Sequence, residues 1–272
     1  MTSTPVGAWC AENGLQPEKP ASVNKPEFLE LLDGLNIDFI LVFSFGQILK
    51  IDLLNVPRCE CLNIHTSLLP RHRGASPVQA AILAGDTETG VSFMRMVEAL
   101  DAGPVFDCRK LLLSGTETAY DLEEQMASLA ADSVCDVLYR IRDGALSPVP
   151  QWDADATYAG KIEKNDGQIE WKRPAEEIAR QIRAYYPWPG AWFILQHGKK
   201  NRRIVVTQGV PSPGNDAPPG TVTLADKHGW RVQCGHDQLH IDKLIPEGKP
   251  EMSGAEFLRG CQLEPGQMIL SS

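Results

Sequence analysis

The sequence predicts an α/β protein in two parts: an open α/β sheet domain and then a small all-β barrel. Three observations lead there. "DFILVFSF" (Asp38 to Phe45) is a short continuous apolar run, the pattern of a strand buried on both faces of a parallel sheet. Helical and strand periodicities alternate around it as far as Leu146. Beyond that point short strands recur between Gly and Pro turns, as they do in small β-barrels, with OB-like barrels among the candidates.

Taken in order, "NKPE" (Asn24 to Glu27) reads as a helix start, with Asn24 as N-cap, Pro26 in the first turn and Glu27 completing a capping box. Phe28, Leu31 and Leu32 then form the buried stripe. The strand at Asp38 to Phe45 follows, and "CLNIH" (Cys61 to His65) is a second strand. "SPVQAAILAG" (Ser76 to Gly85) is a helix with Pro77 in its first turn and Gly85 as its stop. "TGVSFMRMV" and "PVFDCRKLLL" alternate as strands do, joined by a loop, "EALDAG", short enough for a hairpin-like connection. From Thr118 to Arg142, Leu122, Met126, Leu129, Val134, Val137, Leu138 and Ile141 keep helical spacing, and Gly144 ends the helix. The first domain is thus expected over residues 1–147. The aperiodic, Pro- and Asp-containing stretch at 148–157 is expected to be a linker. Residues 158–272 make the second domain: a helix at Pro174 to Tyr185, the turn "YYPWPG", then "AWFILQ", "RRIVVTQ", "GTVTLA", "WRVQC" and "LHIDKLI" as strands. Trp188 and Trp192 are expected in its core.

Composition narrows the class. With 43% hydrophobic and 22% charged residues the chain is ordinary for a soluble globular protein, and it has no apolar run near the roughly 18 residues of a membrane span. "MTSTPVGAWCAENG" lacks a basic segment followed by an apolar core, so a cytoplasmic location is expected, away from membranes. Seven cysteines, odd in number and without a C-x-x-C pair, fit a reducing compartment better than a disulfide framework or a zinc site. A net charge of −9 argues against a generic DNA binder. The charge is uneven, however: residues from Thr157 onward carry 15 Lys+Arg against 13 Asp+Glu, whereas the preceding residues carry 11 against 22. A polyanionic partner is therefore expected for the second part alone.

Chemistry concentrates in "LNIHTSLLPRHRGASP" (Leu62 to Pro77). Residues i and i+2 of a strand share a face, so Asn63 and His65 project together, and a strand ending at His65 points them into the crevice where open α/β sheets bind ligands. Asp101, in the loop "EALDAG", can reach an imidazole. The trio has a chemical logic: Asp orients and charges His, His moves a proton, and the Asn amide donates to a developing oxyanion. On spacing alone a satisfied strand-end histidine, a turn-forming Asn and an Asx-turn explain the same residues. A serine-hydrolase elbow, a P-loop, a G-x-G-x-x-G turn and metal-ligand spacing are all absent from the sequence.

"LNIHTSLLPRHRGASPVQAAILAGDTETGVSFMRM" followed by "ALDAGPV" resembles the signature of the folate-dependent formyltransferases. "TYAGKIEKNDGQIEW", "IRAYYPWPGAW", "PPGTV" and "LIPEGKPEMSGAEFLRG" resemble the carboxyl-terminal domain of the members that formylate methionyl-tRNA. The resemblance runs from about Pro5 to Gly266. It implies a Rossmann-like transfer domain and an OB-like tRNA-binding domain. It also implies a monomeric enzyme moving a formyl group from 10-formyltetrahydrofolate to the α-amino group of initiator methionyl-tRNA, for translation initiation. Residue by residue, it implies catalytic roles for Asn63, His65 and Asp101. Folate contacts are implied for Ser67, Leu68, Leu69 and Pro70 and for Phe45, Gly46, Gln47 and Ile48. Cationic contacts to tRNA are expected of Arg71 and Arg73 and of Lys199, Lys200, Arg202 and Arg203 in "GKKNRR". No metal is implied. Members that formylate sugar nucleotides share the trio and are the alternative, as is a relative that only binds RNA. The family begins with a strand, a Gly-rich turn, a helix and a second strand that have no counterpart here. Two such units, about 60 residues, are expected to be missing, leaving apolar surface uncovered.

Overall fold

The computed structural model describes residues 4–197 and 200–269. The chain opens with helices α1 (Pro5–Glu12) and α2 (Pro26–Asp33), strand β1 (Phe39–Val42), a one-turn helix α3 (Ile51–Leu54) and strand β2 (Glu60–His65). A two-residue strand β3 (Arg73–Gly74) precedes helix α4 (Pro77–Ala84), strands β4 (Glu88–Arg95) and β5 (Val105–Leu112), and the long helix α5 (Ala119–Arg142). The sheet order is β1-β2-β4-β5, with β1 parallel to β2 and the rest antiparallel.

Local signals account for the helix ends. Thr118 and Asp121 close a reciprocal capping box on α5, and Gly85 ends α4 in the left-handed conformation. One cap differs from expectation: α2 is entered from Lys25 without a side-chain cap. Asn24 instead donates to the Ile48 carbonyl and accepts from the Lys50 amide, tying the chain before α2 to the loop after β1. Helix α1 is short and without a strong apolar stripe.

The alternation along β2 places its residues. Ile64 joins a core with Val91 and Phe93 of β4, Val78 and Ile82 of α4, and Leu122 and Met126 of α5. On the opposite face Cys61 packs with Val42, Leu49 and Leu53. Asn63 and His65 share the Cys61 face by the two-residue period. They therefore lie at the carboxyl end of β2, on the sheet face away from α5.

The second part holds β6 (Tyr158–Ala159), helix α6 (Ala175–Ala184), strands β7 (Ala191–His197), β8 (Lys200–Ser212), β9 (Val222–Asp226), β10 (Gly229–Gln233), β11 (Gln238–Pro246) and β12 (Met252–Ser253), and helix α7 (Gly254–Gly260). Strands β7 to β11 form an antiparallel sheet in the order β7-β8-β11-β10-β9, with β12 on β11. All five strands read from the sequence are present, and α6 lies where the helix was expected. Its core is aromatic: Trp171, Phe193, Trp230 and Phe257 form a chain of ring contacts 5.3–5.9 Å apart. Trp188 departs from the expectation of a core residue and is 53% exposed, because it lies in the turn between α6 and β7 and not on a core-facing element. Trp192 is partly buried, with its indole N–H donated to the Lys164 carbonyl. No described helix is long and apolar enough to cross a membrane.

Candidate active site

Strand β2 ends at His65, beside the loop that follows it. His65 is 6% exposed, and its Nε2 lies 2.9 Å from the carbonyl oxygen of His72. A carbonyl only accepts, so Nε2 carries the proton and the neutral ring keeps its lone pair on Nδ1. Nδ1 lies 3.7 Å from Oδ2 of Asp101, too far for a hydrogen bond but within ion-pair range. Burial pushes the His65 pKa below its ordinary value, and the neighbouring His72 adds to this. The Asp101 carboxylate and the His72 carbonyl pull it back up. The ring is thus held neutral, with a base lone pair facing a carboxylate that stabilises the cation formed on protonation.

Asp101 sits at φ +48°, a left-handed conformation unusual for a residue with a side chain. Its Oδ2 accepts from the Gly74 amide at 2.7 Å, which fixes the carboxylate in place. Gly74 cannot be replaced without moving its neighbour, because an added Cβ would lie 2.3 Å from the Ala159 carbonyl oxygen. Asn63 pairs across the sheet with Val42 and Met94, is half-buried, and has no side-chain hydrogen bond among the described residues. A half-buried amide with unused donors, two residues from a neutral base, is suited to hold an oxygen that gains negative charge.

The turn expected to contact folate follows directly. Ser67 is fully buried and donates to the Arg71 carbonyl, the Leu69 amide donates to Ser92 Oγ, and the Leu69–Pro70 bond is cis. The segment Phe45 to Ile48 leaves β1 at the same end of the parallel pair. Phe45 and Ile48 are exposed, and Gln47 is engaged through Oε1, which accepts from the Val23 amide. A cavity of about 210 Å³ lies behind the turn, lined by Leu68, Arg71, His72, Asp86, Thr87, Glu88 and Thr89. A larger one, about 460 Å³, opens between the start of α5, α6 and β8 and contains none of the trio. Reactive groups, and not cavity size, therefore pick out the site.

The expected tRNA cations divide. Arg71 is exposed and paired with Asp86. Arg73 departs from expectation: it is 2% exposed, donates through Nε to Gln151 Oε1 at 3.0 Å and pairs with Asp153 at 2.9 Å, so it cannot present its charge to RNA. Arg202 is exposed, and Arg203 lies over the Trp192 ring at 4.5 Å. Lys199 lies outside the described residues, as does the side chain of Lys200.

Sequence reasoning also missed the groups that hold this site together. His72 donates its amide to Thr157 Oγ1 at 2.8 Å and sets its Nε2 2.7 Å from Asp86 Oδ2. Strands β3 and β6 pair in parallel, and Gln151 donates to the carbonyls of Asp101 and Gly103 at 2.8 and 2.7 Å. The stretch expected as a linker is thus bonded along the first sheet, including a Val149–Val105 bridge.

The chain has relatives among known proteins. The family model described as "Formyl transferase" matches residues 2–138, and the one described as "Formyl transferase, C-terminal domain" matches residues 161–262. The chain belongs to the formyl transferase family. It is 37% identical over 266 residues to the methionyl-tRNA formyltransferase of Geobacter metallireducens and 39% identical over 266 residues to that of Myxococcus xanthus. Each alignment covers 98% of this chain and 84% of the relative. Among solved structures, the sugar 3N-formyl transferase WlaRD, in the presence of dTDP and 5-N-formyl-THF, superposes with a TM-score of 0.61 at 18% identity. That superposition covers 89% of this formyltransferase and 81% of WlaRD. Such a likeness shows the shared fold.

Proposed function

We propose that this formyltransferase moves a formyl group from 10-formyltetrahydrofolate to the α-amino group of methionine on initiator tRNA. The observation that carries the reading is that identity to methionyl-tRNA formyltransferases at 36–40% runs the length of the chain, through the β-rich second part as well as the His65 site. A likeness confined to the transfer chemistry would fit sugar-nucleotide acceptors equally well.

The site supports the chemistry. An α-amino group has a pKa of about 8, so a useful fraction is neutral near pH 7 and attacks the formyl carbon directly. The C–N bond that forms leaves an ammonium and an oxyanion on one tetrahedral carbon. Asn63 donates to the oxyanion. His65, neutral and with Nδ1 free, takes the ammonium proton, and the imidazolium it becomes is stabilised by Asp101. Passing that proton to N10 of the folate lets the bond from the carbon to N10 break, releasing tetrahydrofolate and formyl-methionyl-tRNA. Ser67, Leu68, Leu69 and Pro70, with Phe45, Gly46, Gln47 and Ile48, border the folate on this reading. Arg71, Arg202, Arg203, Lys199 and Lys200 are its candidate phosphate contacts, whereas burial removes Arg73.

On the same reading residues 1–147 form the transfer domain, 148–157 the connection and 158–272 the tRNA-binding domain. The enzyme works as a cytoplasmic monomer, in keeping with its free cysteines. Single-turnover formylation of charged initiator tRNA tests the proposal. Wild type is expected to transfer formyl groups at a rate that His65→Ala abolishes. Equal, negligible rates for both would overturn it, and formylation of an amino-sugar nucleotide in place of methionyl-tRNA would redirect it.

A further inference from the structure

We propose that Gln151 is a positioning residue for formyl transfer, holding the loop that presents Asp101 to His65 and so making the segment between the two domains part of the active site. The inference rests on the formyl-transfer reading of His65 and Asp101 and adds a residue to it.

Gln151 is partly buried and uses its whole amide. Nε2 donates to the carbonyls of Asp101 and Gly103, two residues apart on one loop, and Oε1 accepts from Arg73 Nε. Arg73 heads β3, whose next residue, Gly74, gives its amide to the Asp101 carboxylate. Backbone and carboxylate of Asp101 are therefore gripped from two directions by one connected set: Gln151 on the carbonyl, Gly74 on Oδ2, and Arg73 joining the two. Asp101 needs such a grip. Its positive φ is an intrinsically disfavoured conformation that persists only where the surroundings over-determine it. The loop's own backbone supplies little at that point, an Ala102 amide to Ala99 carbonyl contact at 3.4 Å. The grip acts on the charge that faces Nδ1. The groups facing the His65 ring are that carboxylate, the His72 carbonyl and the His72 ring; Gln151 bonds the Asp101 backbone directly, whereas His72 has its own bonds to Thr157 and Asp86. If Gln151 lets go, the carboxylate recedes while the ring stays buried.

The test uses the full chain with Gln151→Leu and Gln151→Glu. The Glu variant keeps an acceptor for Arg73 and cannot donate to the two carbonyls; its added negative charge would by itself move the His65 midpoint up, so a downward shift reports the lost hold on the loop, and it also serves if the Leu variant fails to fold. The readout is the NMR pH titration of the His65 ring, assigned by its loss in His65→Gln. Asp101→Asn sets the full shift expected when the carboxylate's charge is removed. Both Gln151 variants are expected to move the His65 midpoint to lower pH, toward the Asp101→Asn value. They should also lower kcat for formyl transfer by about 10- to 100-fold with KM little changed, as misplacement of a catalytic group does. A midpoint that stays at the wild-type value in both variants overturns the proposal. So does a shift in the Leu variant alone, which would assign the effect to the Arg73 link. The titration reads geometry whether or not the chain turns over, so an inactive wild type would count against the functional reading and not against this one.

Discussion

Strand β2 has one well-packed neighbour and one thin one. On the β4 side Val91 and Phe93 are fully buried, closed over by α4 and α5, and Met94 on the other face is only 1% exposed. On the β1 side the next chain is four residues long, and Leu41, Phe43 and Phe45 are each more than 40% exposed. His65 and Asn63 stand between the two. The difference teaches where the site gets its rigidity. Every bond that fixes His65 and Asp101 comes from β4, from the β3 loop or from residues 149–159, and none from β1. The β1 edge can hold a ligand or be left loose without moving the base.

The largest effects should therefore be chemical and confined to the stiff side. His65→Ala is expected to lower formyl transfer about 10²- to 10⁴-fold, and Asn63→Ala about 10²- to 10³-fold, measured as single-turnover rates. Both should fold normally by circular dichroism. A loss in Asn63→Ala of only a few fold would remove it as the oxyanion donor and break the symmetry of the pair on β2.

Next in size is packing. Phe93→Ala empties a fully enclosed site and is expected to cost about 3–5 kcal/mol in denaturant unfolding. Phe43→Ala, on exposed chain just past β1, should stay within about 0.5 kcal/mol. Equal costs would mean that the two sides of β2 are not energetically distinct.

The same contrast explains what could be read in the sequence. Elements with their own periodicity were legible: α5 from its apolar spacing, β2 and β4 from their strand patterns, all five main strands of the second sheet from their turns. Asn63 and His65 were legible because strand alternation alone places them together. What failed depended on partners far along the chain. "RHRG" reads as a pair of cations open to RNA, and nothing near Arg73 says that Gln151, 78 residues on, will bury it. Asn24 reads as a cap until Ile48 and Lys50 take its amide. The stretch "VPQWDADAT" has no period because its order comes from single bonds to the site and not from a face packed on a core. Its polar residues were a signal only in hindsight, since Gln and Thr carry no pattern that points to a loop elsewhere.

Proton linkage gives a smaller effect with a definite sign. The His65 pKa is lowered in the folded protein, chiefly by burial, so the unfolded chain binds a proton that the folded one resists. Stability from this residue is fully present above the unfolded value of about 6.5 and declines as pH falls below it toward the folded value. Denaturant midpoints of wild type and His65→Gln are expected to converge as pH is lowered from 7 to 5. The acid limb of the transfer rate should follow the same group and lie below that of a free histidine. A limb at or above pH 6.5 would show that Asp101 outweighs burial.

The smallest effects separate the two sides most cleanly, because each side carries one comparable ion pair. Arg95 of β4 reaches across to Glu60 at the start of β2, a carboxylate only 14% exposed and bonded by two guanidinium nitrogens. Arg58 reaches Asp38 just before β1 at 2.6 Å, with both side chains about half exposed or more. Two-nitrogen geometry and a partly desolvated acceptor strengthen the first pair, whereas solvent screens the second. Arg95→Met is expected to destabilise by about 1 kcal/mol and Arg58→Met by less than about 0.5 kcal/mol, both read from denaturant midpoints at low salt. Raising the salt to about 1 M should shrink the Arg58 difference toward zero while leaving most of the Arg95 difference, since a Debye length of about 3 Å screens exposed pairs first. If both differences vanish together, the Glu60 pair is no better sheltered than its counterpart, and the shelter inferred for the β4 side ends at the base of the strand instead of running its whole length to His65.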